Sequence, residues 1–153
     1  MDEPMKITVD HILDIWRVEP SLTYSGFSDD VNLYAKWRAG LIEHLDEVQL
    51  CVDWLSQQEV AQRITPKSPN SYSLKHAVEF ATRPNAQTDY TYVSNGCLIA
   101  AAIILAIPYQ RCQGNSLNAQ IAIKRSKRNV SLHGPKAYLG LGYAEYKPLR
   151  VTL

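Results

Sequence analysis

Four cations fall within five residues at Lys124, Arg125, Lys127 and Arg128. Side chains of this kind at this density suit the neutralisation of phosphate groups, which gives affinity and salt dependence with little preference for base sequence. Arg111 lies on the segment expected to pair with the one carrying them, and Lys136, Lys147 and Arg150 extend the same sign. The structural alternative is a solvated turn rich in Lys and Arg. The distribution of charge along the chain points toward a partner. Residues 1–60 hold twelve Asp and Glu against four Lys and Arg, residues 61–153 hold three against twelve, and the net charge of +1 over 153 residues is their near-cancellation. The same polarity would also let the two halves neutralise each other inside one fold.

Tyr72, Lys75, His76 and Glu79 form a second constellation. At i, i+3, i+4 and i+7 they share one stripe of a helix. Functionally, such a stripe is a polar contact surface for a ligand or phosphate, or a His76 and Glu79 acid/base pair. Structurally, it is an exposed helix face with a Lys75 to Glu79 ion pair. Asn95-Gly96 ahead of a helix start offers backbone amides to an anion, or simply begins the helix. The signatures of the common catalytic classes are missing: the sequence has no glycine-rich phosphate loop, dinucleotide fingerprint, nucleophile elbow or paired zinc ligands. His11, His44, His76 and His133 are scattered one to an element, and Cys51, Cys97 and Cys112 lack metal-ligand spacing. Cys97 falls in an apolar stretch, where burial makes a thiol inert. The expectation is a protein that is not an enzyme and takes no cofactor or metal.

The elements that must position these residues follow from periodicity. A short helix is predicted over residues 7–18, with Ile12, Leu13, Ile15 and Trp16 apolar and Asp10 as cap, followed by a loop over 21–28. Tyr34, Trp37, Leu41, Leu45, Val48, Val52 and Leu55 recur at spacings of three and four and predict one long amphipathic helix, with Glu43, Asp46, Glu47 and Asp53 mostly off its stripe. Gly40 interrupts it and leaves room for a kink or a close contact. Pro66 and Pro69, where the charge changes sign, mark the best boundary between an acidic helical region (1–65) and a basic α+β region (66–153) packed as one unit. Beyond it, Asn70 or Ser71 caps a helix on Leu74, Ala77, Val78 and Ala81, ended by Arg83 and Pro84. Ser94 or Asn95 caps an apolar helix over 97–107, closed by Pro108. Leu117, Ala119, Ile121 and Ile123 alternate with polar or small residues as a half-buried strand does, with residues 109–112 as its hairpin partner, and residues 137–146 suggest another strand.

Together these give an α+β fold, mostly helical, with a long amphipathic N-terminal helix, a central buried helix and a small C-terminal hairpin or sheet. The order helix, helix, hairpin is that of a winged helix-turn-helix. Its reading helix, however, would be Cys-Leu-Ile-Ala-Ala-Ala-Ile-Ile-Leu-Ala-Ile, which offers no side chain to a base edge and belongs in a core. The longest apolar run, residues 96–107, is too short to span a bilayer, no secretory signal is evident, and reduced thiols suit a cytoplasm. The leading expectation is a small cytoplasmic accessory protein whose basic half contacts nucleic acid. The rival is a protein-interaction module, an inhibitor or adaptor, in which the acidic helix with Trp37 and Trp54 docks on another protein or a second copy. Exposed aromatics on that helix favour the rival; positive surface beyond the needs of internal pairing favours the first.

Overall fold

Periodicity in the first half produces three helices rather than two. A computed structural model describes residues 5–82 and 91–124. It opens with α1 (Val9–Val18), which buries Ile12 and Ile15 and starts at Thr8 rather than Asp10. The His11 Nδ1 accepts the Thr8 amide at 3.0 Å, reaching back one turn as the acidic member of a capping box does. The expected loop then contains a small antiparallel hairpin, β1 (Leu22–Thr23) against β2 (Gly26–Phe27). Strands of two residues are too short for periodicity to register, and only Gly26, at φ +125°, marks the turn.

The predicted long helix divides into α2 (Val31–Glu43), capped by the Asp30 carboxylate on the Asn32 amide, and α3 (Leu45–Leu55). His44 separates them with non-helical backbone: its amide closes α2 on the Gly40 carbonyl, and its carbonyl accepts the first amides of α3. A one-residue break barely disturbs the spacing of the stripe, so sequence periodicity runs straight through it. Leu41, Val48, Val52 and Leu55 are buried as expected, whereas Trp37 is 38% exposed. The Tyr34 side chain lies outside the described residues. The tryptophan that fills the core is Trp54, at 0% exposure.

In the second half α4 (Ser71–Thr82) begins with the side-chain Oδ1 of Asn70 accepting the Tyr72 amide at 2.8 Å. The next helix, α5 (Asn95–Ile104), begins with Ser94 Oγ accepting the Cys97 amide at 3.0 Å. Every residue of α5 from Asn95 to Ala102 is buried, because α1, α3, α4 and the β1–β2 hairpin surround it. Burial of this kind contributes roughly 1.5–3 kcal/mol for each large apolar side chain. Gly96 permits the closest of these approaches: a Cβ there would lie 1.9 Å from the Thr23 carbonyl oxygen. Strands β3 (Tyr109–Arg111) and β4 (Ala119–Ile121) pair antiparallel, with Tyr109 opposite Ile121 and Arg111 opposite Ala119. The fold is therefore α+β, and the central helix is buried. Its resemblance to a winged helix stops at the order of elements, since α5 is buried from Asn95 to Ala102 and cannot enter a groove.

The end of β4 is tied back to the first half. The Ala61 amide donates to the Ala122 carbonyl, Lys124 N to the Glu59 carbonyl and Ile121 N to the Pro69 carbonyl. Arg83, Pro84 and the suggested strand over 137–146 lie outside the described residues. Among the described residues no helix is long and apolar enough to cross a membrane. Trp54→Ala is expected to cost about 3–5 kcal/mol of stability as a core truncation. Trp37→Ala is expected to cost about 1 kcal/mol or less, as a partly exposed position. Urea denaturation of the two variants checks the ordering.

Candidate functional site

The loop between α3 and α4 is knitted by its own short side chains. Thr65 N donates to Ser68 Oγ at 2.9 Å, Lys67 N to Thr65 Oγ1 at 3.2 Å, and Ser68 N to the Thr65 carbonyl at 3.0 Å. These Ser and Thr turns hold the backbone without a helix or sheet ladder. The loop lies against the end of β4, and between them runs a groove of about 350 Å³ lined by Arg63, Lys67 and Lys124 together with Ala61, Thr65, Ser68 and Ile123. Arg63 and Lys67 are exposed and have no ion-pair partner among the described residues. The Lys124 ammonium lies 3.3 Å from the Glu59 carboxylate with half its side chain in solvent, a surface pair of small energy.

Of the cations singled out in the sequence, Lys124 therefore stands on this groove. Arg125, Lys127 and Arg128 lie outside the described residues. Arg111 does not line the groove. Its guanidinium packs 4.6 Å from the Phe27 ring and donates to Asp29 Oδ1 at 3.2 Å, in a separate cleft with Ser28, Asp30, Asn115 and Leu117. Arg63 and Lys67 were not singled out by sequence, because they are isolated in it. Their sign and their place in a Pro- and Ser-rich loop were the only signal.

Two members of the α4 stripe, Lys75 and Glu79, are turned inward, while Tyr72 stays exposed and His76 is partly buried. Lys75 is 6% exposed and Glu79 2%. The Glu79 Oε2 accepts from Lys75 Nζ at 2.9 Å and from the Val93 amide at 3.1 Å, while Oε1 accepts from His76 Nδ1 at 2.8 Å. The Lys75 ammonium also sits 4.5 Å from the Tyr92 ring, and the exposed Tyr72 meets His76 edge-on at 4.6 Å. These two go inward because their charges satisfy each other and an otherwise unpaired amide, which is what makes a buried carboxylate tolerable.

A matching arrangement on α3 escaped the sequence reading, which placed Glu47 off the apolar stripe. The Glu47 carboxylate accepts from the Tyr24 hydroxyl at 2.8 Å and from the Ser94 amide at 2.9 Å, and His44 Nδ1 lies 3.2 Å away. The available signal was the repeated spacing His-x-x-Glu, His44 with Glu47 and His76 with Glu79. Burial and the neighbouring Glu47 carboxylate keep the Tyr24 hydroxyl protonated far above its ordinary range. Cys97 lies beneath, its thiol pushed up to about 12 chiefly by burial, and burial likewise pushes up the Cys51 thiol. Neither thiol is available as a thiolate near neutrality. Among the described residues no group of three or more His, Cys, Asp and Glu could hold a metal ion.

Compared with protein-family models, with curated proteins and with solved structures, the chain matches none.

Removing one partner of the α4 cluster strands the other. Glu79→Ala is expected to destabilise by about 3–5 kcal/mol, since it leaves the Lys75 charge buried. Lys75→Met combined with Glu79→Leu should recover part of that loss, the remainder reflecting Val93 N and His76 left unpaired. Chemical denaturation of the single and double variants measures the coupling; strictly additive losses would contradict it.

Proposed function

We propose that this protein contacts the phosphate backbone of nucleic acid, without catalysis, through the basic groove. The observation that carries the reading is the convergence of Arg63 and Lys67 with Lys124 on one surface, at the point from which the chain continues into Arg125, Lys127 and Arg128. Exposed cations on a self-bonded loop supply charge that internal pairing does not consume, which raises local counter-ion attraction. Polar Thr65 and Ser68 in the same groove suit hydrogen bonds to phosphate oxygens. Arg111 is a lesser contributor, its guanidinium already engaged by Asp29 and Phe27. The burial of α5 favours backbone contacts over base readout. The three unpaired cysteines support action in a reducing compartment such as a cytoplasm. A second reading, a protein-interaction module, is favoured by the 38% exposure of Trp37 on α2.

The test is an electrophoretic or anisotropy titration of the whole protein with duplex and single-stranded nucleic acid across a salt series. Binding should weaken with salt at a slope of about −0.9 per phosphate neutralised on duplex DNA. Arg63→Ala with Lys67→Ala should flatten that slope by about one to two units and weaken all sequences alike. No binding to either form at low salt would refute the proposal.

A further inference from the structure

On the face of α2 beside the β1–β2 turn, Trp37 lines with Tyr24 and His44 an open slot of about 230 Å³. The two facing rings are themselves in contact, 4.8 Å between centroids at 34°. Their positions are fixed by the interior. Tyr24 N donates to the Trp37 carbonyl at 3.0 Å, the Tyr24 hydroxyl is held by Glu47, and the Tyr24 side chain lies directly on Gly40. At that glycine a Cβ would meet the Tyr24 Cβ at 2.7 Å, so Gly40 sets the depth of the slot. The Tyr24 wall is thus organised before anything enters, which lowers the entropic cost of binding.

Size and charge together select the occupant. Sites for free small molecules span about 300–1,000 Å³, so a slot of this volume fits one inserted side chain better than a cofactor. Aromatic faces attract either a base or a cation. The exposed carboxylate of Glu43, at the lip, would repel the phosphates that accompany a base and draw in a positive group. Lys36 also lines the slot, but it precedes Glu43 by seven helical residues, about 10 Å along the axis, so the Glu43 and His44 end keeps its negative character. A guanidinium fits best, since it is planar, stacks on aromatic faces and binds a carboxylate through two N–H groups. We propose that this slot receives an arginine side chain from a basic segment of a partner protein. The excess of twelve acidic over four basic residues in positions 1–60 supplies the complementary field.

The proposal stands apart from the basic groove, and fluorescence anisotropy with labelled peptides tests it. Oligoarginine, oligolysine and oligoglutamate of equal length are titrated with the full chain at physiological salt. Oligoarginine should bind more tightly than oligolysine, and oligoglutamate not at all. Trp37→Ala should weaken oligoarginine binding about tenfold, the scale of a partly desolvated cation–π contact. Glu43→Lys, at an exposed position that leaves the fold intact, should do at least as much. Arg63→Ala with Lys67→Ala should leave peptide binding unchanged, so loss of one activity without the other is readable. Equal affinity of wild type and Trp37→Ala, or no affinity for oligoarginine, would overturn the proposal. So would self-association abolished by the same substitutions, which would make a second copy of the chain the occupant.

Discussion

Two glutamates take hold of two consecutive backbone amides, and the position of the central helix depends on that grip. Glu79 accepts from Val93 N, and Glu47 from Ser94 N. Neither amide has a partner within α5, because both precede its first helical hydrogen bond. Left alone in a buried setting each would cost the full desolvation of an amide. The carboxylates remove that cost and place negative charge beside the positive end of the helix dipole. The price of burying the acids is met locally: Lys75 and His76 accompany Glu79, and Tyr24 and His44 accompany Glu47. α3 and α4 are thereby fixed to the same two residues of chain, one from each side, and α5 is seated between them with Ser94 as its cap.

The same economy decides where the acidic and basic halves meet. Among the described residues only two ion pairs cross from the first sixty residues to the rest, Asp29 with Arg111 and Glu59 with Lys124. Both are at least partly solvated and longer than 3 Å, so they contribute little to stability. Mutual neutralisation is therefore a weak organiser of this part of the molecule; apolar packing on α5 and the buried glutamates do that work. Arg63 and Lys67 on the loop, and Glu43 beside Trp37, remain exposed.

Periodicity made the class of the fold legible. The apolar run at Cys97 to Ala102, the i, i+3, i+4 spacing of Leu74, Ala77 and Val78, and the alternation through Ala119 and Ile121 all correspond to buried faces. Three things were not legible, each for a physical reason. The break at His44 occupies one residue and leaves the stripe in phase. The β1–β2 hairpin has two-residue strands and is held by contacts to Trp37 and Leu117 that are distant in sequence. The inward turn of Lys75 and Glu79 depends on Val93, fourteen residues further on, whose amide sequence pattern does not display. Of the candidate site, Lys124 was found by clustering, whereas Arg63 and Lys67 join it only through the pairing of residues 59–61 with the end of β4.

Amide hydrogen exchange at Val93 and Ser94 tests the central grip most directly. These amides lie outside helix and sheet, so a loop held only by packing would release them at the rate of exposed turns such as Gly114. Held by Glu79 and Glu47, they are expected to exchange only through global unfolding, with protection equal to that of Ala101 inside α5. Exchange at the rate of Gly114 would contradict the role assigned to the two glutamates.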